Sequence, residues 1–131
     1  MTTKTQAADL ISLTGRHLLL VEDEMMIALD LADVVGGFGC TFAMAGRVAK
    51  AISLIANAGF DAAVLDVNLA GEKVYAVADE LNRLGIPLIF TTGYGEDGVL
   101  AQYRHHVIVS KPYTRIDLYG ALVRVLGPAR V

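Results

Sequence analysis

Apolar residues along the chain follow two alternating patterns. Five short segments, roughly 17–22, 40–45, 62–66, 87–92 and 107–110, are apolar with little alternation. Parallel strands covered on both faces read this way. The segments between them have helical spacing. Ile27, Leu31, Val34, Val35 and Phe38 share one helical face, as do Val48, Ile52 and Ile55. So do Val74, Val77, Leu81 and Leu84, and then Tyr119, Leu122, Val123 and Leu126. Residues 96–103 contain glycine and show the least pattern of these segments. Gly36-Gly37, Gly59, Gly85 and Gly127 follow helical runs and are expected as left-handed caps. A five-fold βα alternation predicts an α/β fold: a doubly wound, five-stranded parallel sheet with helices on both faces. Right-handed crossovers place every strand's C-terminal end on one edge, which is where such sheets bind ligands.

The polar residues are placed accordingly. The first strand ends on Glu22-Asp23-Glu24 and the third on Asp66. Thr91-Thr92 end the fourth, and Lys111-Pro112 follow the fifth. Acids gathered at one edge repel one another unless a cation sits among them, which implies a metal site. Phosphoryl transfer suits this set of groups. The Asp66 carboxylate would attack phosphorus to give an acyl phosphate. A hard cation such as Mg²⁺ would neutralise the phosphoryl oxygens, and a lysine and a hydroxyl would hold the remaining ones.

Composition narrows the choices. The 131 residues fit one domain, and a 54% apolar fraction is ample for its core. A net charge of −3 with no Lys/Arg run argues against nucleic acid. Cys40 is the single cysteine, so no internal disulfide forms, which fits a reducing cytoplasm. No apolar stretch approaches a membrane span, and the N-terminus lacks the order of a signal peptide.

The acidic pair, the Asp-x-Asn turn, the Thr-Gly step and the Lys-Pro step together resemble the receiver domain of two-component response regulators. The resemblance spans about residues 16–127, leaving an N-terminal extension over 1–15 and a tail over 128–131. It implies a flavodoxin-like, CheY-like fold with Asp66 as phosphoacceptor. Asp23 matches the direct metal ligand, and Glu22 the acid acting on the metal through water. Asn68 matches the position whose backbone carbonyl ligates the metal. Thr92 matches the hydroxyl that reaches the phosphoryl group. Lys111 matches the lysine that pairs with it, before a peptide that is often cis in the family. The run Phe90-Thr91-Thr92-Gly93-Tyr94-Gly95 is similar to the Phe-Ala-Thr-Gly-Tyr-Gly signature of a mostly alphaproteobacterial group of stand-alone receivers.

Two departures stand out. Ile108 occupies the position where the family usually carries an aromatic switch residue, and the loop after Asp66 lacks the common Met-Pro pair. Tyr94 is the expected substitute in the switch. Plainer readings hold for several neighbours. Glu24 reads as a solvated first-turn acid, Thr91 as a strand residue, and His105 and His106 as surface residues. The Gly36-Gly37-x-Gly39 run follows a helix rather than a strand, which excludes a dinucleotide loop.

The resemblance implies Mg²⁺, or Mn²⁺ in its place, as cofactor. A histidine kinase or histidine phosphotransfer protein is the expected phosphodonor, and a downstream protein is the expected target. With no residues left for an output domain after 127, output is expected through protein binding or phosphate shuttling, in the cytoplasm, without nucleic acid or membrane insertion. A receiver module of a hybrid kinase system is the alternative. A haloacid-dehalogenase-like phosphatase would need a second Asp where Asn68 stands. The chain is therefore expected to be a signalling domain rather than an enzyme, limited to self-phosphorylation and slow self-dephosphorylation.

Overall fold

A computed structural model describes residues 13–127 of the chain. Its elements are β1 (His17–Val21), α1 (Met25–Gly37), β2 (Thr41–Ala45), α2 (Val48–Asn57) and β3 (Ala62–Asp66), followed by the short strands β4 (Asn68–Leu69) and β5 (Glu72–Lys73), then α3 (Tyr75–Leu84), β6 (Leu88–Thr92), β7 (Val107–Ser110) and α4 (Arg115–Leu126). The five long strands form one parallel sheet in the order β2-β1-β3-β6-β7. The five-stranded parallel sheet that the pattern predicts is present, and its strand order is the flavodoxin-like one that the resemblance implies.

Side chains alternate across this sheet, as the strand period requires. Leu19 and Val21 of β1, Ala63 and Leu65 of β3, and Leu88 and Phe90 of β6 pack with α2 and α3. Leu18, Leu20, Ala62, Val64 and Ile89 pack on the other side with α1 and α4. Both faces are therefore dry. Near-continuous apolar strands are a consequence of that double burial.

Several local expectations need correction. Gly36 and Gly37 lie inside α1, and Gly59 is not left-handed; Gly39 takes the positive φ at that turn, at 87°. Gly85 does cap α3 in the left-handed region, where a side chain would be strained. The buried stripe of α4 is Leu118, Ala121 and Leu122. Tyr119 lies beside that stripe, edge-on to Phe38 at 5.3 Å. Residues 96–103 form no α-helix but two 3-10 turns, Gly95–Gly98 and Ala101–Tyr103. The segment after Asp66 holds an unforeseen hairpin, with Asn68 opposite Lys73 and Ala70-Gly71 at positive φ in its turn. The N-terminal extension lies outside the described residues as far as residue 12, while Leu13 is buried against Leu18 and its neighbours. Among the described residues, no helix is long and apolar enough to cross a membrane.

Candidate functional site

The site begins with strand register. Val21 of β1 lies opposite Leu65 of β3, so Glu22 and Asp66 leave adjacent strands at the same level. Asp66 pairs with Thr91, and Thr92 with Ser110. The Lys111 N–H donates to the Thr92 carbonyl at 2.8 Å, continuing that ladder by one residue. Groups 89 residues apart in sequence thereby meet at one sheet edge.

Glu22, Asp23 and Asp66 each offer a carboxylate oxygen, all within 4.8 Å of one another. Glu22 is only 6% exposed and Asp66 7%, whereas Asp23 faces solvent. Lys111 Nζ donates to Glu22 Oε1 at 3.1 Å and to Asp66 Oδ2 at 3.1 Å. Burial pushes the Glu22 carboxyl up from its ordinary range, and the negative charge of Asp66 pushes it further; the Glu24 N–H and Lys111 offset only part of this. Burial pulls the Lys111 ammonium down, but its hydrogen bonds and the charges of Glu22 and Asp66 outweigh that and hold it above its usual value. Two buried carboxylates therefore share one ammonium, and the third acid of the cluster, Asp23, makes no ion pair among the described residues. An all-oxygen donor set with surplus negative charge, open to solvent on the Asp23 side, fits a hard divalent cation.

Neighbouring groups hold the cluster in place. The Asn68 N–H donates to Asp66 Oδ1 at 3.3 Å, and Lys73 Nζ donates to the Asn68 amide oxygen. The Glu24 N–H donates to Glu22 Oε2 at 3.2 Å, which gives Glu24 a backbone role at the helix start. Thr92 is buried, and its Oγ1 accepts from the Tyr94 N–H at 3.1 Å. Tyr94 itself is 75% exposed. Ile108 is half-buried against the face that holds Phe90. The Lys111–Pro112 peptide is cis. A Thr114/Asp117 capping box starts α4 three residues after Lys111, which fixes where the loop ends.

Sequence reasoning missed an aromatic group beside this edge. Tyr75 and Tyr103 stack at 4.5 Å, and Phe90 meets both edge-on. The Tyr75 hydroxyl accepts from the Leu100 N–H at 2.9 Å, and the Tyr103 hydroxyl donates to Asp79 at 2.7 Å. Their only sequence signal was aromatic character, with no periodicity to pair them. His106 also departs from its surface reading: its ring packs edge-on to Phe90 at 5.7 Å, and burial pulls its pKa down, followed by the charge of His105. His105 is exposed as expected.

No protein-family model matches the chain. The chain is 30% identical over 118 residues to transcription factor SKN7 of Saccharomyces cerevisiae; the match covers 86% of this chain and 19% of SKN7. The chain thus spans about a fifth of that relative's length. The solution structure of SdrG from Sphingomonas melonis Fr1 superimposes with a TM-score of 0.77 at 36% identity, covering 88% of this chain and 99% of that one. The receiver domain of the sensor histidine kinase PA1611 from Pseudomonas aeruginosa PAO1, solved with magnesium coordinated in its active-site cleft, has the same fold. Its TM-score is 0.73 at 20% identity, over 86% of this chain and 98% of that one. Further response regulator receiver domains share the fold. With SdrG similar over nearly its whole length, and with receiver domains recurring among the structural matches, the chain belongs to the receiver domains of two-component response regulators.

Proposed function

We propose that the receiver, residues 16–127, is switched by phosphorylation of Asp66, with a histidine kinase or histidine phosphotransfer protein as donor. The observation that carries this reading is the position of Lys111 Nζ, 3.1 Å from both Asp66 Oδ2 and Glu22 Oε1. A carboxylate at a strand end, beside two more acids and bonded to one ammonium, supports the reading of Asp66 as the acceptor.

In the transfer, an Asp66 oxygen attacks the phosphorus of a phosphohistidine. A P–O bond forms as the P–N bond breaks, and the imidazole nitrogen keeps the electron pair. Lys111 exchanges its hydrogen bond to Asp66 for one to a phosphoryl oxygen, and the Thr92 hydroxyl donates to another. Asp23 and Asp66 would hold Mg²⁺, or Mn²⁺, directly, with the Asn68 carbonyl as a further ligand and Glu22 acting through water. When bound, the cation neutralises charge on the phosphoryl oxygens.

Turnover beyond self-phosphorylation and slow self-dephosphorylation is not expected. A downstream protein reads the state from the surface around Tyr94, with Ile108 taking no ring-rotation role. The net charge of −3 supports a protein rather than a nucleic-acid target. The reading implies a cytoplasmic site of action, where phosphorylated kinases present their phosphohistidine. The relatives named above give no support to a haloacid-dehalogenase-like phosphatase.

Phosphotransfer from labelled histidine kinases tests the reading. Wild-type protein should take up a single equivalent of hydroxylamine-sensitive label, and folded Asp66→Asn should take up none. Label persisting in Asp66→Asn overturns the assignment, and catalytic phosphate release from acetyl phosphate would favour the phosphatase reading.

A further inference from the structure

Gly98 has a backbone conformation outside the left-handed region, so its dihedrals do not call for glycine. Space does. A Cβ built there would stand 2.2 Å from Thr92 Oγ1, 3.3 Å from Thr92 Cβ and 3.1 Å from Tyr94 Cβ. The Thr92 hydroxyl therefore occupies the volume that any side chain at 98 would need.

Both backbones are tied to neighbouring elements in the resting state. Thr92 is held by its pairing with Ser110 and by the Lys111 N–H on its carbonyl. The turn bearing Gly98 is held by buried Val99 and by the Leu100 N–H bonded to the Tyr75 hydroxyl. Tyr75 is in turn stacked on Tyr103, which bonds Asp79 of α3. The most local response to an added Cβ at this contact is rotation of the Thr92 side chain between staggered positions.

We propose that Gly98 is a positioning residue for phosphorylation: its missing side chain gives the Thr92 hydroxyl a resting place, closed by the Tyr94 N–H, that the hydroxyl must leave to reach a phosphoryl group. This rests on the reading of Asp66 as phosphoacceptor. It adds that the unphosphorylated state is held by a contact at position 98, and that filling the space selects the other Thr92 arrangement. A group that displaces only one of two states shifts the balance toward the other.

The test uses the full chain in the variants Gly98→Ala, Thr92→Ala and the two combined. Without ligand, Gly98→Ala should lower the melting temperature clearly in the wild-type background and far less beside Thr92→Ala, because the close contact is with the hydroxyl. The Tyr94 amide resonance of Gly98→Ala should move toward its position in wild-type protein carrying Mg²⁺ and beryllofluoride, since the amide loses its acceptor. Labelling of Gly98→Ala by acetyl phosphate should be several-fold faster than in wild type. If Gly98→Ala alone does not fold, folding of the double variant supports the contact and failure of the double variant overturns it. Equal losses in both backgrounds, or an unmoved Tyr94 resonance, overturn the proposal. Wild-type protein unlabelled at Asp66 would instead overturn the phosphoacceptor reading, leaving the ligand-free measurements to judge the contact by themselves.

Discussion

Lys111 Nζ and Asp66 Oδ2 stand 3.1 Å apart, joining the residue after β7 to the last residue of β3 across the intervening strand β6. The same ammonium reaches Glu22, so replacing it leaves buried carboxylates without a counter-charge. Lys111→Met should lower stability by about 1–3 kcal/mol, the range for leaving buried hydrogen-bonding groups unpaired. Mg²⁺ should recover part of the loss, and chemical denaturation with and without Mg²⁺ measures both. The sign with pH follows from the raised Lys111 value. The pair's contribution is fully present below the ordinary lysine range and is lost as pH rises through the folded-state value.

Asp23 is the exposed member of the acid cluster and has no cation of its own among the described residues. Asp23→Asn removes one of three negative charges without touching the Lys111 bridge. The fold should remain intact, while Mg²⁺-dependent amide shifts around residues 22–24 and 66–68 should weaken by at least about tenfold in apparent affinity, on the order of 1.4 kcal/mol. A Mg²⁺ titration by NMR identical to wild type would refute the assignment of Asp23 as a ligand.

Parallel topology explains why so much of this site was legible. Once five apolar runs and right-handed connections are granted, strand ends must converge, and the acids ending β1 and β3 become neighbours without any side-chain knowledge. β3 was readable residue by residue because its apolar run stops abruptly at Asp66. Two-residue strands have no period, so the Asn68–Lys73 hairpin left no trace in the pattern. The choice of Leu118 rather than Tyr119 for the core depends on a rotation of one helical step, which tertiary packing decides. The space at Gly98 arises where two loop and strand backbones approach, a distance that composition and spacing do not encode.

Tyr103 offers a test at high pH. Its hydrogen bond to Asp79, then burial, push its phenol from 10.0 to about 12. Between those values the unfolded chain has lost this proton and the folded chain has kept it. The Tyr103 contribution is thus fully present below pH 10 and is lost as pH rises toward 12. Tyr103→Phe should flatten this part of the stability profile and cost about 0.5–1.5 kcal/mol at neutral pH, the range for one hydrogen bond. Denaturation series at several alkaline pH values, compared between the two proteins, measure the difference. Parallel profiles would show that the hydroxyl makes no lasting bond to Asp79.

Tyr94 divides its roles between backbone and ring. Its N–H is bound to Thr92 Oγ1, whereas its side chain is 75% exposed beside the 95–103 turns. Those turns rest on isolated i+3 hydrogen bonds such as Val99 N–H to the Glu96 carbonyl and Tyr103 N–H to the Leu100 carbonyl. Short 3-10 pieces of this kind open more easily than packed helices. Residues 93–103 should therefore show μs–ms exchange in the free protein, quenched by Mg²⁺ with beryllofluoride, as the phosphoryl mimic draws Thr92 away. Truncating the ring leaves the backbone bond in place. Tyr94→Ala should keep that exchange, keep wild-type labelling at Asp66, and change stability by no more than about 0.5 kcal/mol, as is usual at exposed positions. If the ring is the contact a downstream protein reads, removing it should weaken binding of that protein by about tenfold or more, as for an aromatic anchor. Relaxation dispersion on both proteins separates the two roles. Exchange abolished by Tyr94→Ala would move the switch from the backbone to the ring, and equal rigidity with and without beryllofluoride would remove the switch from this segment altogether.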